Sequence, residues 1–227
     1  MEYNKVIKQL KSLRNSENVK GMVRFGIRPK AKVYGIPIPE LRKIAKFIKK
    51  DHKLALKLWD SKIHEAKILA GLIADPEKTT EKQINKWVKN FDSWDICDQT
   101  CMNLFCKTRF AYKKVFEFSK RKEEFVRRTA FALISALAVH DKKATNKDFV
   151  KFFSIIEKAV FDERNFVKKA VNWSLRQIGK RNPVLNKKSI SLAKKIIKIN
   201  SKSAKWIAGN AIRELESKKI QKMLSYK

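Results

Sequence analysis

Apolar residues recur along this chain every three to four positions and almost nowhere every second one. That period is the mark of amphipathic α-helix, and the alternation that half-buried strands require is absent. The pattern predicts helices over roughly 2–14, 17–25, 39–49, 52–60, 62–74, 80–90, 93–106, 110–119, 122–139, 145–160, 163–179, 183–199, 202–216 and 217–225. Glycine and proline fall mostly at the joints between them, in "IRPKAKVYGIPIPE", "ADPEKT" and "KRNP". The connections are short, which favours antiparallel neighbours. The expected fold class is all-α.

The helical segments also repeat. "EFVRRTAFALI" (124–134) and "NFVKKAVNWSL" (165–175) superpose at a period of about 41, and "SLRQI" (174–178) and "AIREL" (211–215) at about 37. Helix pairs with periods near 40 are typical of HEAT-like repeats. One pair cannot bury its apolar face alone, so pairs stack. The expectation is a single HEAT-like domain over 1–227, a curved solenoid of stacked antiparallel pairs. A basic pair recurs at the same repeat position, Arg127 with Arg128 and then Lys168 with Lys169. Stacking would line these cations along one concave face. Either that face is solvated or it is a groove for phosphates.

Composition narrows the choice of partner. At 44% hydrophobic residues the chain can build a sizeable core, but 54 Lys+Arg stand against 22 Asp+Glu, a formal charge of +32. Such an excess repels itself unless something anionic is near, with nucleic acid the first candidate and an anionic membrane the second. Lys, Ile and Asn are all heavily used, so the sign of the charge carries more weight than its size. No signal-peptide pattern opens the sequence, and no apolar run reaches the roughly 18 residues of a membrane span. Cys97, Cys101 and Cys106 crowd into one segment, which reads as reduced structural thiols in a cytoplasmic protein. His52, His64 and His140 are scattered, so no metal site is expected.

Candidate chemistry concentrates in "FDSWDICDQ" (91–99). Asp92 or Ser93 suits an N-cap, and Asp95 follows Asp92 by three, a capping-box-like spacing. On a helical projection Asp98, Cys101 and Phe105 lie within about 40° of Trp94, while Asp95, Gln99 and Asn103 lie on the other, polar side. Asp98 is thus a lone carboxylate on an apolar face, one turn after a tryptophan. It is either a buried acid satisfied by an arginine or backbone amides, or a functional acid beside an aromatic surface.

Two further helices stand out. In 165–180 the core stripe is Val167, Ala170, Val171, Ser174 and Ile178, while Trp173 falls in a row with Lys169, Arg176 and Lys180. That row suits a base or sugar between phosphates, and equally a tryptophan wedged between repeats. "NWS" is formally a glycosylation sequon, discounted within a helix. In 124–138 a broad apolar side (Val126, Ala130, Leu133, Leu137) faces away from Arg128, Ala132 and Ser135. Small residues beside one arginine let a backbone or a ligand approach. Arg128 then either grips a phosphate or neutralises Asp98.

Taken together these segments resemble the HEAT-like-repeat DNA alkylation-repair glycosylases of the AlkD type. The resemblance runs over nearly the whole chain and is most specific in 91–99, 124–134 and "FVKKAVNWSLRQIGKRNP" (166–183), with "YGIPIPELRKIAK" matching near the N-terminus. The family's Trp four residues before the catalytic Asp falls on Trp94 and Asp98. Its active-site Arg falls on Arg128 and its second active-site Trp on Trp173. Ser93 stands where members often carry another Trp, and Phe25 near a position that is usually Tyr.

The resemblance implies hydrolytic release of cationic N3- and N7-alkylated purines from duplex DNA, without lyase activity, by a cofactor-free monomer that is cytoplasmic and nucleoid-associated when bound. Asp98 would be the catalytic carboxylate. Trp94 and Trp173 would contact the lesion and its sugar. Arg127, Arg128, Lys168, Lys169, Arg176 and Lys180 would hold the DNA backbone. The alternative from the same residues is a non-catalytic HEAT-repeat nucleic-acid binder. A protein scaffold or membrane-surface adaptor is a third reading.

Overall fold

The computed structural model describes residues 2–226. They form the helices α1 (Tyr3–Ser12), α2 (Ser16–Arg24), α3 (Ile38–Ile48), α4 (His52–Trp59), α5 (His64–Ile73), α6 (Glu81–Lys89), α7 (Trp94–Asn103) and α8 (Ala111–Phe118). They continue as α9 (Glu124–His140), α10 (Asn146–Val150), α11 (Phe153–Ala159), α12 (Asn165–Gly179), α13 (Pro183–Ile196), α14 (Lys202–Leu215) and α15 (Lys218–Ser225). The described residues hold no strand, only an isolated bridge between Lys32 and Ile63. None of the helices is long and apolar enough to cross a membrane.

Several helix starts are written locally. Asn15, Asp51, Thr80, Asn182, Ser201 and Ser217 each turn a side-chain oxygen back to accept a backbone N–H of the first turn of α2, α4, α6, α13, α14 and α15. Each such cap satisfies one of the N–H groups that a helix start leaves without an intrahelical partner, at about 1 kcal/mol. Pro183 adds a pre-set φ at the first position of α13.

Two expected helices are cut short. The segment 145–160 divides into α10 and α11, because the Phe152 N–H bonds Phe149 O at 3.0 Å, a tightened turn. That turn brings both rings into one aromatic cluster with Tyr112 and Phe116. Similarly α7 stops at Asn103, and Phe105–Lys107 continue as a single 3₁₀ turn.

The helices group into two compact units, the first ending at Phe110 and the second beginning at Ala111. In the first, α5 is the hub and packs on α1, α3, α4 and α7. Trp59 at the end of α4 stacks face to face on Trp87 of α6, with ring centroids 3.9 Å apart. In the second, α9 and α12 pair most extensively, with α8 beyond α9 and α13 and α14 against α12. The helices α9, α12 and α14 start 41 and 37 residues apart, matching the two sequence periods. Phe131, Ala132, Ile134, Ser135 and Ala136 of α9 are all buried, so the side of this helix that carries Arg128 and the small residues is closely packed as well.

Candidate functional site

Trp94 opens α7, and Asp98 follows one turn later on the same side of the helix. Both are half-buried. The Trp94 indole N–H donates to the carbonyl of Phe25 at 3.0 Å, which ties the start of α7 to the end of α2 and leaves the Phe25 ring 70% exposed. Cys97 and Cys101 lie behind, fully buried, and all three cysteines are free thiols. Burial, its bond with the Cys97 thiol, and the nearby charges of Cys97 and Asp98 push the Cys101 thiol well above its ordinary range. Cys101 is thus held as a neutral thiol that packs as a small apolar group.

Asp95 departs from the expected pattern. It does not sit on a polar side with Gln99 and Asn103 but is buried, because α5 runs against this side of α7. His64, the first residue of α5, sets its Nε2 2.8 Å from Asp95 Oδ2, and the Ser93 hydroxyl donates to Oδ1. Ser93 occupies the N-cap position without capping through its side chain, and Asp92 instead accepts the Lys30 N–H at 2.9 Å. The sequence pattern had the right residues at this helix start but the wrong partners.

Burial opposes the charge of Asp95, but the bond and charge of His64, the Ser93 hydroxyl and the Ile96 N–H outweigh it, so the carboxyl lies below its ordinary 3.8. A depressed folded value means that this group's contribution to stability is complete above the unfolded value and is lost as pH falls through the folded one. Chemical denaturation as a function of pH is therefore expected to show stability dropping below about pH 4. In Asp95→Asn the drop should be shallower, from a lower neutral-pH starting point. An unchanged acid limb would remove Asp95 from this role.

A second buried carboxylate shapes the joint before α3. Glu65, 1% exposed, accepts the backbone N–H groups of Tyr34 (3.0 Å), Gly35 (2.6 Å) and Ile36 (3.4 Å). Gly35 sits there at φ 73°, where an added Cβ would come 2.3 Å from the Asn15 carbonyl oxygen, so only glycine fits. The "YGIPIPE" signature is thus a loop folded around one acid.

In the second unit the expected backbone-binding cations divide sharply. Arg128 is only 5% exposed and donates to the carbonyl of Phe166 at the start of α12. Another backbone does approach Arg128, and it is the protein's own. Arg127 pairs with Asp162 at 3.3 Å. Lys168 lies over the Trp206 ring, 5.3 Å from its centroid, whereas Lys169 is exposed. Arg176 and Lys180 converge on Glu214 of α14, Lys180 at 2.7 Å, and together hold that carboxyl below its usual range against the cost of its burial. The recurring basic pairs are therefore not a uniform exposed row: the first position is ion-paired or stacked, and the second is buried in α9 and free of such burial in α12.

The core stripe of α12 is buried as its period requires, and Trp173 stands half-buried at its edge, one turn from Lys169. Asn172 of the sequon is buried and donates to Ile207 O at 2.8 Å, so it is not open to glycosylation. Trp206, 39% exposed beneath Lys168, and Glu214 were not singled out in the sequence. The second lies within "AIREL", where the repeat itself was the available signal.

The helical architecture defines an all-α protein of HEAT-like repeat fold. A solved structure described as "a new family of proteins related to the HEAT-like repeat DNA glycosylases with affinity for branched DNA structures" shares that fold, with a TM-score of 0.78 at 18% identity over 94% of this chain and 95% of that one. The sequence profile of the family described as DNA alkylation repair enzyme matches residues 6–215, and the chain belongs to that family. Among curated relatives, the uncharacterized protein Lmo0209 of Listeria monocytogenes is 35% identical over 81 residues, 35% of this chain and 36% of the relative. The uncharacterized protein Lin0241 of Listeria innocua is 33% identical over 89 residues, 38% of this chain and 40% of the relative. The matched segment thus spans less than half the length of either.

Proposed function

We propose that the protein is a monofunctional DNA glycosylase that releases cationic N3- and N7-alkylated purines from duplex DNA. One observation carries this reading: in a chain of the DNA alkylation repair enzyme family, α7 holds a half-buried carboxylate, Asp98, one turn after a half-buried tryptophan, Trp94. Alkylation at N3 or N7 gives the base a positive charge and makes it a good leaving group. As the glycosidic bond breaks, positive charge develops on the deoxyribose. An ionised carboxylate facing that sugar stabilises the charge and positions the attacking water. Trp94 and Trp173 favour cationic nucleotides through their ring faces. No step uses an amine nucleophile, so the strand is left uncut.

DNA gripping is the broader part of the proposal, and the +32 charge supports it. Of the six cations assigned to the DNA backbone, Lys169 has the clearest access, since Arg127, Arg176 and Lys180 are ion-paired and Arg128 is buried. Removing one phosphate contact lowers the salt slope of log K by about 0.9. Lys169→Ala is expected to show that change in fluorescence-anisotropy titrations over a salt series, while an unaltered slope would take Lys169 off the DNA.

The test of the activity is base release from N-methylated duplex DNA, read by chromatography of the freed base. Release of 7-methylguanine and 3-methyladenine, with the strand intact until alkali is added, is the expected result. A second reading is a branched-DNA binder without catalysis, which draws on the affinity ascribed to the structural neighbour. It predicts tight junction binding and no base release.

A further inference from the structure

A cavity of about 520 Å³ opens in the first unit between the ends of α4 and α6 and the loop at 30–31. Lys30, Lys62, Lys67 and Lys89 line it, and none of their ammonium groups meets a carboxylate among the described residues. The two acids of the cavity are engaged elsewhere: Asp60 takes Lys86 from outside it at 3.2 Å, and Asp92 accepts the backbone N–H of Lys30 at 2.9 Å through Oδ2. The floor is aromatic, with Trp59 2% and Phe91 6% exposed. Trp87 covers one face of Trp59, and Lys67 Nζ stands over the same ring, 5.9 Å from its centroid. No ring face is left for a flat ligand to stack on, so what the cavity recognises is charge. An apolar floor beneath four cations strengthens their pull on an anion.

Two further features narrow the occupant. Lys62 holds φ at 59°, in the left-handed region that residues with a Cβ rarely adopt. Glycine would sit there at lower cost. The Lys62 carbonyl accepts the Lys32 N–H at 3.0 Å, a contact that any residue could make. What lysine adds at this strained position is its ammonium group. The second feature is Asp92 Oδ1, which is buried and has no hydrogen-bond partner. An acceptor left in that state is costly, and a ligand O–H would relieve it. A phosphomonoester brings both parts: its second ionisation is centred near about pH 6, so ionised oxygens and a P–O–H occur on one group. A phosphodiester, as in the DNA backbone, has no O–H to give, and neither has sulfate.

We propose that this cavity binds a phosphomonoester, with the four lysines holding its ionised oxygens and Asp92 accepting its P–O–H. The inference does not depend on the glycosylase reading. The phosphate belongs either to the end of a DNA strand or to a small free molecule, and the chemistry that holds it is the same.

Calorimetric titration of the full chain at about pH 6 tests it, with methyl phosphate as the monoester, dimethyl phosphate as the diester and sulfate as an anion without a proton, all at matched ionic strength. Methyl phosphate is expected to bind at least about tenfold more tightly than either. Lys62→Gly removes one cation and relieves the left-handed backbone, so affinity for methyl phosphate is expected to fall about fivefold while stability in urea holds or rises. Should that variant lose its fold, Lys89→Ala at the exposed end of α6 carries the same comparison. Asp92→Asn is expected to bring methyl phosphate and sulfate to similar affinity. Equal affinity for monoester and diester, no binding of the monoester, wild-type affinity in the lysine variants, or an unchanged preference over sulfate in Asp92→Asn each overturns the proposal. Duplexes with 5′-phosphate or 5′-hydroxyl ends then separate the sources by fluorescence anisotropy. Tighter binding of the phosphorylated end assigns the site to DNA strand ends, and equal binding assigns it to a small phosphomonoester.

Discussion

Asp98→Asn is expected to lower the rate of 7-methylguanine release from methylated duplex DNA by about 10²–10³-fold while leaving affinity for the same DNA intact. The amide keeps the size and shape of the side chain but carries no charge. What it loses is the interaction that strengthens as the sugar becomes cationic, so the loss should appear in single-turnover rate and not in binding. Binding should hold or tighten slightly, because one negative charge is removed from a chain that is formally +32. The pair of measurements matters. A variant that neither binds nor releases would report a damaged fold. A variant that releases base at the wild-type rate would remove Asp98 from catalysis, and with it the proposed activity of α7.

Glu65→Ala is expected to cost about 2–4 kcal/mol of stability. Its carboxylate is the shared acceptor for the N–H groups of Tyr34, Gly35 and Ile36. Truncation leaves these donors inside the protein without an acceptor, at about 1–3 kcal/mol each, offset in part because a buried charge is also removed. Glu65→Gln keeps an oxygen acceptor in place and should cost about half as much. For a chain of this length the alanine variant should melt roughly 5–15 °C lower. Urea denaturation measures the difference directly, and a loss below about 1 kcal/mol would mean that water satisfies the loop once the acid is gone.

The helical character of the chain was legible because the apolar period and the caps act within one or two turns. Asn15, Asp51, Thr80 and Asn182 mark helix starts from three residues away. The repeat was legible for a related reason: each helix pair meets the same neighbours as the pair before it, so similar residues recur at the spacing of α9, α12 and α14. The placement of Trp94 and Asp98 on one side of α7 also follows from helical geometry alone. The break inside 145–160 was not legible, since it depends on Phe152 meeting rings from another helix, those of Tyr112 and Phe116.

What the amino-acid order determined by itself, then, was periodicity: an all-α repeat protein, a tryptophan and an acid one turn apart, and a large surplus of positive charge. The tertiary structure alone decided which charges have partners. It buried Asp95 against His64, took Arg128 into contact with the Phe166 carbonyl, and set Arg176 and Lys180 on Glu214, partners 31 to 38 residues away along the chain. It also gathered four lysines without carboxylate partners around one cavity of the first unit. A helical projection gives the angle of a side chain about its own axis. It carries no information on what packs at that angle, and the state of a charged group depends on that neighbour.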